Sequence, residues 1–405
     1  MDKDDSREED IGAGEPEGTL AIVPVKVKTK QGNTIITTYA FLDPGRSDTI
    51  RWIKPVVTAN RISVVEIEEL LKQQVKLDFP EHQHKERLEM SREDHKFMES
   101  VSNSVKLVDG HYSIGLPLKE KGLDFPNNRR VAEQKDKANQ SKRSWYIPHH
   151  GVYHPKKRKL RVVFDCGATY QGTSLNARLL QGPDLTNSLI GVLTRFRQKN
   201  IAFMADIEAM FHQVPEEDSD LLTFLWWPDG DLSSELEEYQ MVVHIFGATS
   251  SPSCANFALQ QCARDNVDDF SPEAVSSMLR NFYVDDCLKS MEDERKAVII
   301  AHELKTLCNK GGFKLNKWVS NSRALLQTIP EESRSKEIKD LDLDKSTLPV
   351  ERALGVQWCT ETDSFHFKFT PQDKPLTRRG ILSVVSSIFD PLGMLSPVIL
   401  PAKQI

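Results

Sequence analysis

Apolar residues recur with two periods along this chain, and the changes between them mark the elements. Between Thr19 and Leu42, Ile22, Val23, Val25 and Val27 are interleaved with Lys26 and Lys28, and Gly32-Asn33 follows as a turn signal. That pattern predicts a β-hairpin. Val64, Ile67, Leu70, Leu71 and Val75 then fall at helical spacing, with Ser63 as cap and Glu66 three residues on. A second helix is predicted from Ser91. Val105 to Ile114 reads as a hairpin turning at Asp109-Gly110. Ile201 to Ala205 is a strand-like apolar run that ends in a single acid, Asp206. Phe224 to Trp227 reads as a strand entering a turn at Pro228, and Ser251-Pro252 opens a helix with Pro at its tolerated first position. Val298, Ala301, Leu304 and Leu307 place one apolar face on a helix over 292–310, which Gly311-Gly312 ends before a strand over 313–318.

Composition narrows this only slightly. A chain of 405 residues predicts two or three domains. The net charge of −6 gives no bulk basic character, so any contact with nucleic acid must come from local clusters. The six cysteines form no C-x-x-C pair, which argues against a zinc site or disulfide framework and for small buried residues in a reducing compartment. No signal peptide or long apolar run is present, so no membrane contact is expected. Met1 to Gly18, acidic and rich in Gly, is expected to be disordered.

The candidate chemistry lies in Asn281-Phe282-Tyr283-Val284-Asp285-Asp286-Cys287-Leu288. Two adjacent acids between apolar residues read as the tip of a β-hairpin, or as an ordinary polar turn. Asp206 shifts the balance, because an acid ending a buried strand is costly without a cation or partner. Asp206 and Asp285, with Asp286 beside them, suit two Mg²⁺ ions, which prefer carboxylates and substrate phosphates. Such a pair stabilises the attacking and leaving oxygens of a displacement at phosphorus. Lys156, Lys157, Arg158, Lys159 and Arg161 form a basic cluster that reads either as a solvated hairpin or as a phosphate contact.

These pieces occur in a telling order. "WYIPHHGVYHPKKRKLRVVFDC", "LLQGPDLTNSLIGVL", "MADIEAMFHQV", "FLWWPDGDL", "FGATSSPSCANFAL" and "LRNFYVDDCLKS" precede "KWVSNSR", "LPVERALGVQW" and "TRRGILSVVSSIFDPLG". From about Trp145 onward the chain resembles the reverse transcriptase region of BEL/Pao-type LTR retrotransposon polyproteins. The resemblance implies an α/β fold of the α+β kind, with fingers and an antiparallel palm sheet backed by helices. It implies RNA-directed DNA polymerase activity with two Mg²⁺ ions, Mn²⁺ as a substitute, and dNTP and an RNA/DNA template-primer as partners. Asp206, Asp285 and Asp286 would be catalytic, with the Ile207 carbonyl a further metal ligand. Arg161, Phe211, Gly247 and Tyr283 would meet the nucleotide, Phe211 as a steric gate or simply as core. Lys156, Lys157 and Lys159 would contact nucleic acid. Lys317 would protonate pyrophosphate, or be a surface lysine. The Trp226-Trp227 pair would stack bases, or, as the favoured reading, lie in the core. Residues 185–198 would form a helix under the palm, and 381–389 a helix of the thumb or connection.

The resemblance also implies domain limits. Residues 1–18 are the acidic tail and 19–62 a remnant of a retropepsin-like segment, with Asp43 in a Phe-Leu-Asp-Pro-Gly loop. Residues 63–143 form a linker region, 144–330 fingers and palm, and 331–405 the palm end and thumb or connection, similar to a Pao peptidase segment. Two departures stand out. Phe246 replaces the Gln common in reverse transcriptases, and the stretch between Arg130 and Trp145 is shorter than in the family. No RNase H region is expected to follow. A rival expectation is therefore a defective remnant, or a host protein that only binds nucleic acid. Cytoplasmic residence, including in virus-like particles, is the expected location.

Overall fold

The computed structural model describes residues 21–28, 35–42, 90–120, 125–129, 144–155, 159–215, 218–231, 233–343, 345–367, 374–375 and 377–403. The predicted helix over 64–75, Asp43, Lys156, Lys157 and the shortened stretch over 130–143 lie outside them. So do the side chain of Lys159 and the Gly32-Asn33 turn. The chain divides into two compact units, 1–82 with 394–405, and 83–393.

In the first unit, β1 (Ala21–Lys28) pairs antiparallel with β2 (Ile35–Leu42) in the register Lys28↔Ile35 to Ala21↔Leu42, as the alternation predicts.

The second unit is a mixture of helices and antiparallel strands. Helix α1 (Arg92–Ser104) starts at Ser91, whose hydroxyl accepts from the Asp94 amide while the Asp94 carboxylate accepts from the Ser91 backbone. That reciprocal pair satisfies two orphan donors of the first turn. β3 (Lys106–Val108) and β4 (His111–Ser113) follow, joined at Asp109-Gly110, both at positive φ. The hairpin β5 (His149–His154) and β6 (Lys159–Phe164) carries Arg161 of the basic cluster. After it come the short α2 (Leu175–Arg178) and α3 (Leu189–Phe196). Helix α3 is shorter than the 185–198 pattern suggests. The Asp184 side chain accepts from the Thr186 amide, forming a local turn, and the helix waits for its Ser188 cap.

The central sheet joins β7 (Ile201–Ile207), β10 (Phe282–Tyr283), β11 (Asp286–Met291) and β12 (Leu315–Ser320) in the order β10-β11-β7-β12. Every pairing in it is antiparallel. Helices α4 (Ser251–Asp265), α5 (Pro272–Arg280) and α6 (Glu294–Lys310) cover one face. Phe203, Ala205, Ile207 and Cys287 point into that layer, where Leu304, Leu307 and Phe257 meet them. Ala202, Met204 and Leu288 point the other way, to a second core with α3, Trp358 and Ile338. Burial on both faces explains why 201–205 reads as a continuous apolar run rather than an alternation.

β8 (Thr223–Trp226) pairs with β9 (Glu237–Gln240). Trp226 corrects the favoured core expectation: it is 40% exposed, at the end of the two-stranded ribbon of β8 and β9. A chain segment through α7 (Arg323–Thr328) and α8 (Lys336–Lys339) leads to the sheet of β13 (Val350–Ala353), β14 (Val356–Cys359) and β15 (Ser364–His366). Helix α9 (Arg378–Ser386) begins at Thr377, whose hydroxyl accepts from the Gly380 amide, and ends before the expected Phe389. The cysteines are free. Five are buried and Cys359 is half-buried.

Candidate active site

The two acidic stretches meet across one rung of the sheet. Asp286 is the direct cross-strand partner of Asp206. Side chains opposite one another in an antiparallel pair share a face, here the face of Met204 and Leu288. Val284, at φ 54°, and Asp285 make the turn between β10 and β11. The Ile207 amide donates to the Asp285 carbonyl at 2.8 Å, which ties the turn to the end of β7. Buried Asn281 closes the hairpin's other end: its amide donates to the Leu288 carbonyl at 2.8 Å, and its own carbonyl accepts from the Leu288 amide. Asn187 donates to the carbonyls of Leu279 and Phe282. The apolar periodicity gave no hint of either asparagine; a polar residue inside an apolar run was the only available signal.

Lys317 reaches this rung through an irregularity. Asn316 pairs with Asp206 and Val319 with Met204, so two residues, Lys317 and Trp318, stand against Ala205 alone. Such a bulge re-aims a side chain. Trp318 goes fully into the core, and Lys317, at φ 54°, donates to the Asp206 carboxylate at 2.7 Å.

The electrostatics follow from the crowding. Burial, the Asp285 and Asp206 carboxylates, and only weaker relief from Lys317 push the Asp286 carboxyl up to about 7. Burial and Asp206 also raise Asp285, against its own backbone amide and Lys317. Asp206 and Asp286 line a cavity of about 480 Å³ together with Lys317, Arg334, Lys336 and Arg352. Asp285 lies at the turn beside it.

Among the described residues, no set of three or more His, Cys, Asp or Glu side chains is arranged to hold a metal ion. Two carboxylates facing one cavity nevertheless fit Mg²⁺, which takes one or two such ligands and fills its remaining positions with water and substrate oxygens. Their mutual repulsion is what a cation relieves.

The other sequence candidates are spread over several elements. Phe211 lies in the 3-10 turn Met210–Gln213 directly after β7, nearly buried, its ring 4.5 Å from that of Phe246. Gly247, at φ 112°, lies where a Cβ would stand 2.5 Å from the Phe164 carbonyl oxygen, so only glycine fits against the base of β6. Asn176 fastens the same loop, donating to the Gly247 carbonyl and accepting from the Thr249 amide. Tyr283 packs against the second core. Arg161 is exposed on β6, opposite Val152.

A family model described as "Pao retrotransposon-like RNaseH-like domain" matches residues 377–405. That is the segment read from the sequence as thumb or connection. No curated protein matches the chain. Among solved structures, a foamy viral protease-reverse transcriptase dRH bound to double-stranded DNA is similar at 13% identity and a TM-score of 0.42, with 95% of this chain and 63% of that chain covered. The foamy viral protease-reverse transcriptase bound to an RNA/DNA hybrid gives 13% identity and a TM-score of 0.39, covering 95% and 49%. The chain thus spans less than two thirds of either.

Proposed function

We propose that this chain is the RNA-directed DNA polymerase region of a retroelement related to the BEL/Pao class. The observation that carries the reading is the Asp206–Asp286 rung, with Asp285 in the adjoining turn, at a cavity wide enough for a phosphate-bearing substrate. The match of residues 377–405 to a Pao retrotransposon family supports the same origin. Asp206 and Asp286, with Asp285 and the Ile207 carbonyl beside them, would hold Mg²⁺ or Mn²⁺. Bound there, the metal supplies charge neutralisation at the attacking and leaving oxygens of nucleotidyl transfer.

The chain's own residues do the rest. Asp206 and Asp286 would hold the ion beside the cavity where the dNTP triphosphate binds, with room for a primer 3′-hydroxyl to approach the α-phosphate. The central sheet keeps the two carboxylates fixed, and placement alone is worth roughly 7–11 kcal/mol in favourable cases. Phe211 lies below the sugar and crowds a 2′-hydroxyl. Gly247 lets the backbone come close to the base, and Tyr283 packs beside the acids. Arg161, with Lys156, Lys157 and Lys159, meets phosphates. Lys317 leaves Asp206 when substrate arrives and donates a proton to departing pyrophosphate.

Primer extension on an RNA template with the purified chain and Mg²⁺ tests this. Extension is expected, and its loss in Asp286→Asn with folding intact. Salt-sensitive binding without extension would overturn the polymerase reading in favour of a chain that only binds nucleic acid.

A further inference from the structure

Lys317 sits where an unbroken ladder would not place it. In regular register it would stand opposite Ala205, whose side chain points into the helical layer. The bulge gives that place to Trp318, which is fully buried and donates its indole N–H to the Leu315 carbonyl. Lys317 is left at φ 54°, a left-handed backbone that non-glycine residues seldom adopt. The surrounding structure holds it there. Asn316 keeps its register with Asp206, and the Ser335 amide donates to the Trp318 carbonyl at 3.0 Å. A strained backbone maintained by its surroundings points to a function.

The bulge has one visible result: the Lys317 ammonium lies 2.7 Å from the Asp206 carboxylate. The neighbouring acid, Glu208, has partners of its own, the Lys314 ammonium at 3.2 Å and the Asn316 side-chain amide at 3.1 Å. The two lysines thus divide the two acids, and Lys317 serves the rung. Its charge also eases the repulsion that raises the Asp285 and Asp286 carboxyls. Lys317 therefore does for these three carboxylates what a divalent cation would do, and it does so on Asp206, a ligand that the cation would use. Two cations on one carboxylate repel each other.

We propose that Lys317 is a built-in counter-ion of the Asp206–Asp286 rung, which a divalent cation must displace from Asp206 in order to bind. The inference rests on the metal reading of the rung. It adds that the chain itself holds its metal affinity down. Arrival of the ion frees an ammonium at the cavity that Lys317 lines.

The test titrates Mn²⁺ alone into the full chain in a calorimeter. Wild type is compared with Lys317→Met, Lys317→Arg, Lys336→Met and Asp286→Asn. Methionine keeps much of the lysine stem without its charge. The Lys317 side chain is 66% exposed, so a thermal melt without metal should show its variants folded. Lys317→Met is expected to bind Mn²⁺ about fivefold more tightly, the upper end for a partly exposed ion pair, with Lys317→Arg near wild type. Lys336 lines the same cavity and, among the described residues, pairs with neither acid, so Lys336→Met should leave the affinity nearly unchanged. Saturating Mn²⁺ should also raise the melting temperature of Lys317→Met by more than that of wild type. Equal or weaker binding by Lys317→Met, with binding lost in Asp286→Asn, would overturn the counter-ion and leave the metal reading standing. An equal gain in Lys336→Met would overturn it as well, by reducing it to the general charge of the cavity. Binding unchanged in Asp286→Asn, or absent from every form of the chain, would sink the metal reading and the counter-ion with it.

Discussion

The central sheet and the β5–β6 hairpin are both antiparallel and both carry candidate site residues, yet they are held in opposite ways. β7 is buried on both faces, and its Asp206, with Asp286 on the adjoining β11, sits on a frame packed by two cores. The hairpin has almost no core of its own: Tyr153 is 59% exposed and Leu160 67%. Only its base is secured, where His149 and Phe164 meet Phe224. On the polymerase reading, the sheet would hold the acids in place before any ligand arrives, and the exposed hairpin would be the part that closes over one.

Four changes would break or sharpen that contrast. The largest effect is expected at the rung. Asp206→Asn or Asp286→Asn should lower primer extension on the order of a thousandfold, because a bound metal supplies several kcal/mol to the transition state. Gel-resolved single-turnover extension measures it, and full activity in either variant would detach the rung from the chemistry.

Next, Phe203→Ala should cost about 3–5 kcal/mol in chemical unfolding, as large-to-small changes in a close-packed core do. Leu160→Ala on the hairpin should stay within about 0.5 kcal/mol. Equal costs would show that the hairpin has a core after all.

Third, the rung should leave a mark on the pH dependence of stability. The folded Asp286 carboxyl, near 7, lies above its ordinary 3.8. The folded state therefore holds the proton longer than the unfolded chain, and this residue's contribution falls as pH rises from about 4 to about 7. Asp286→Asn should flatten that decline and stabilise the chain at neutral pH. His244 acts in the opposite sense. Burial holds its imidazole down at about 4, against the Ile114 carbonyl, so its contribution is lost as pH falls from about 6.5 towards 4. Melts of Asp286→Asn and wild type across pH 4–8 check both signs.

The smallest effect is expected at Phe211. Phe211→Ala should raise ribonucleotide use relative to deoxynucleotide about tenfold, with little change in deoxynucleotide incorporation. An unchanged ratio in direct competition would leave Phe211 as core, packed on Phe246.

Local signals in the chain were sufficient wherever the chemistry is local. Ser91 and Asp94 three residues apart specify a capping box, and Asp109-Gly110 specifies a turn with positive φ at both positions. Two acids between apolar residues at Tyr283 to Leu288 specify a hairpin with its carboxylates at the tip. The run over 201–205 specifies a buried strand, because continuous apolar character has few other uses at that length. Trp226 misled, since an aromatic residue in an apolar run reads the same whether or not a third strand covers it.

What the sequence by itself determined is the set of elements and the acids they carry, since caps, turns and strand periods act between residues a few positions apart. Only the tertiary structure decided that Asp286 faces Asp206 and that a bulge turns Lys317 onto Asp206. Those relations join Asp206 to residues roughly 80 and 110 positions further along the chain. They depend on strand register, and a shift of one residue would turn Asp206 into the opposite core. Register is set by the packing of two cores at once, which no single stretch of the chain contains.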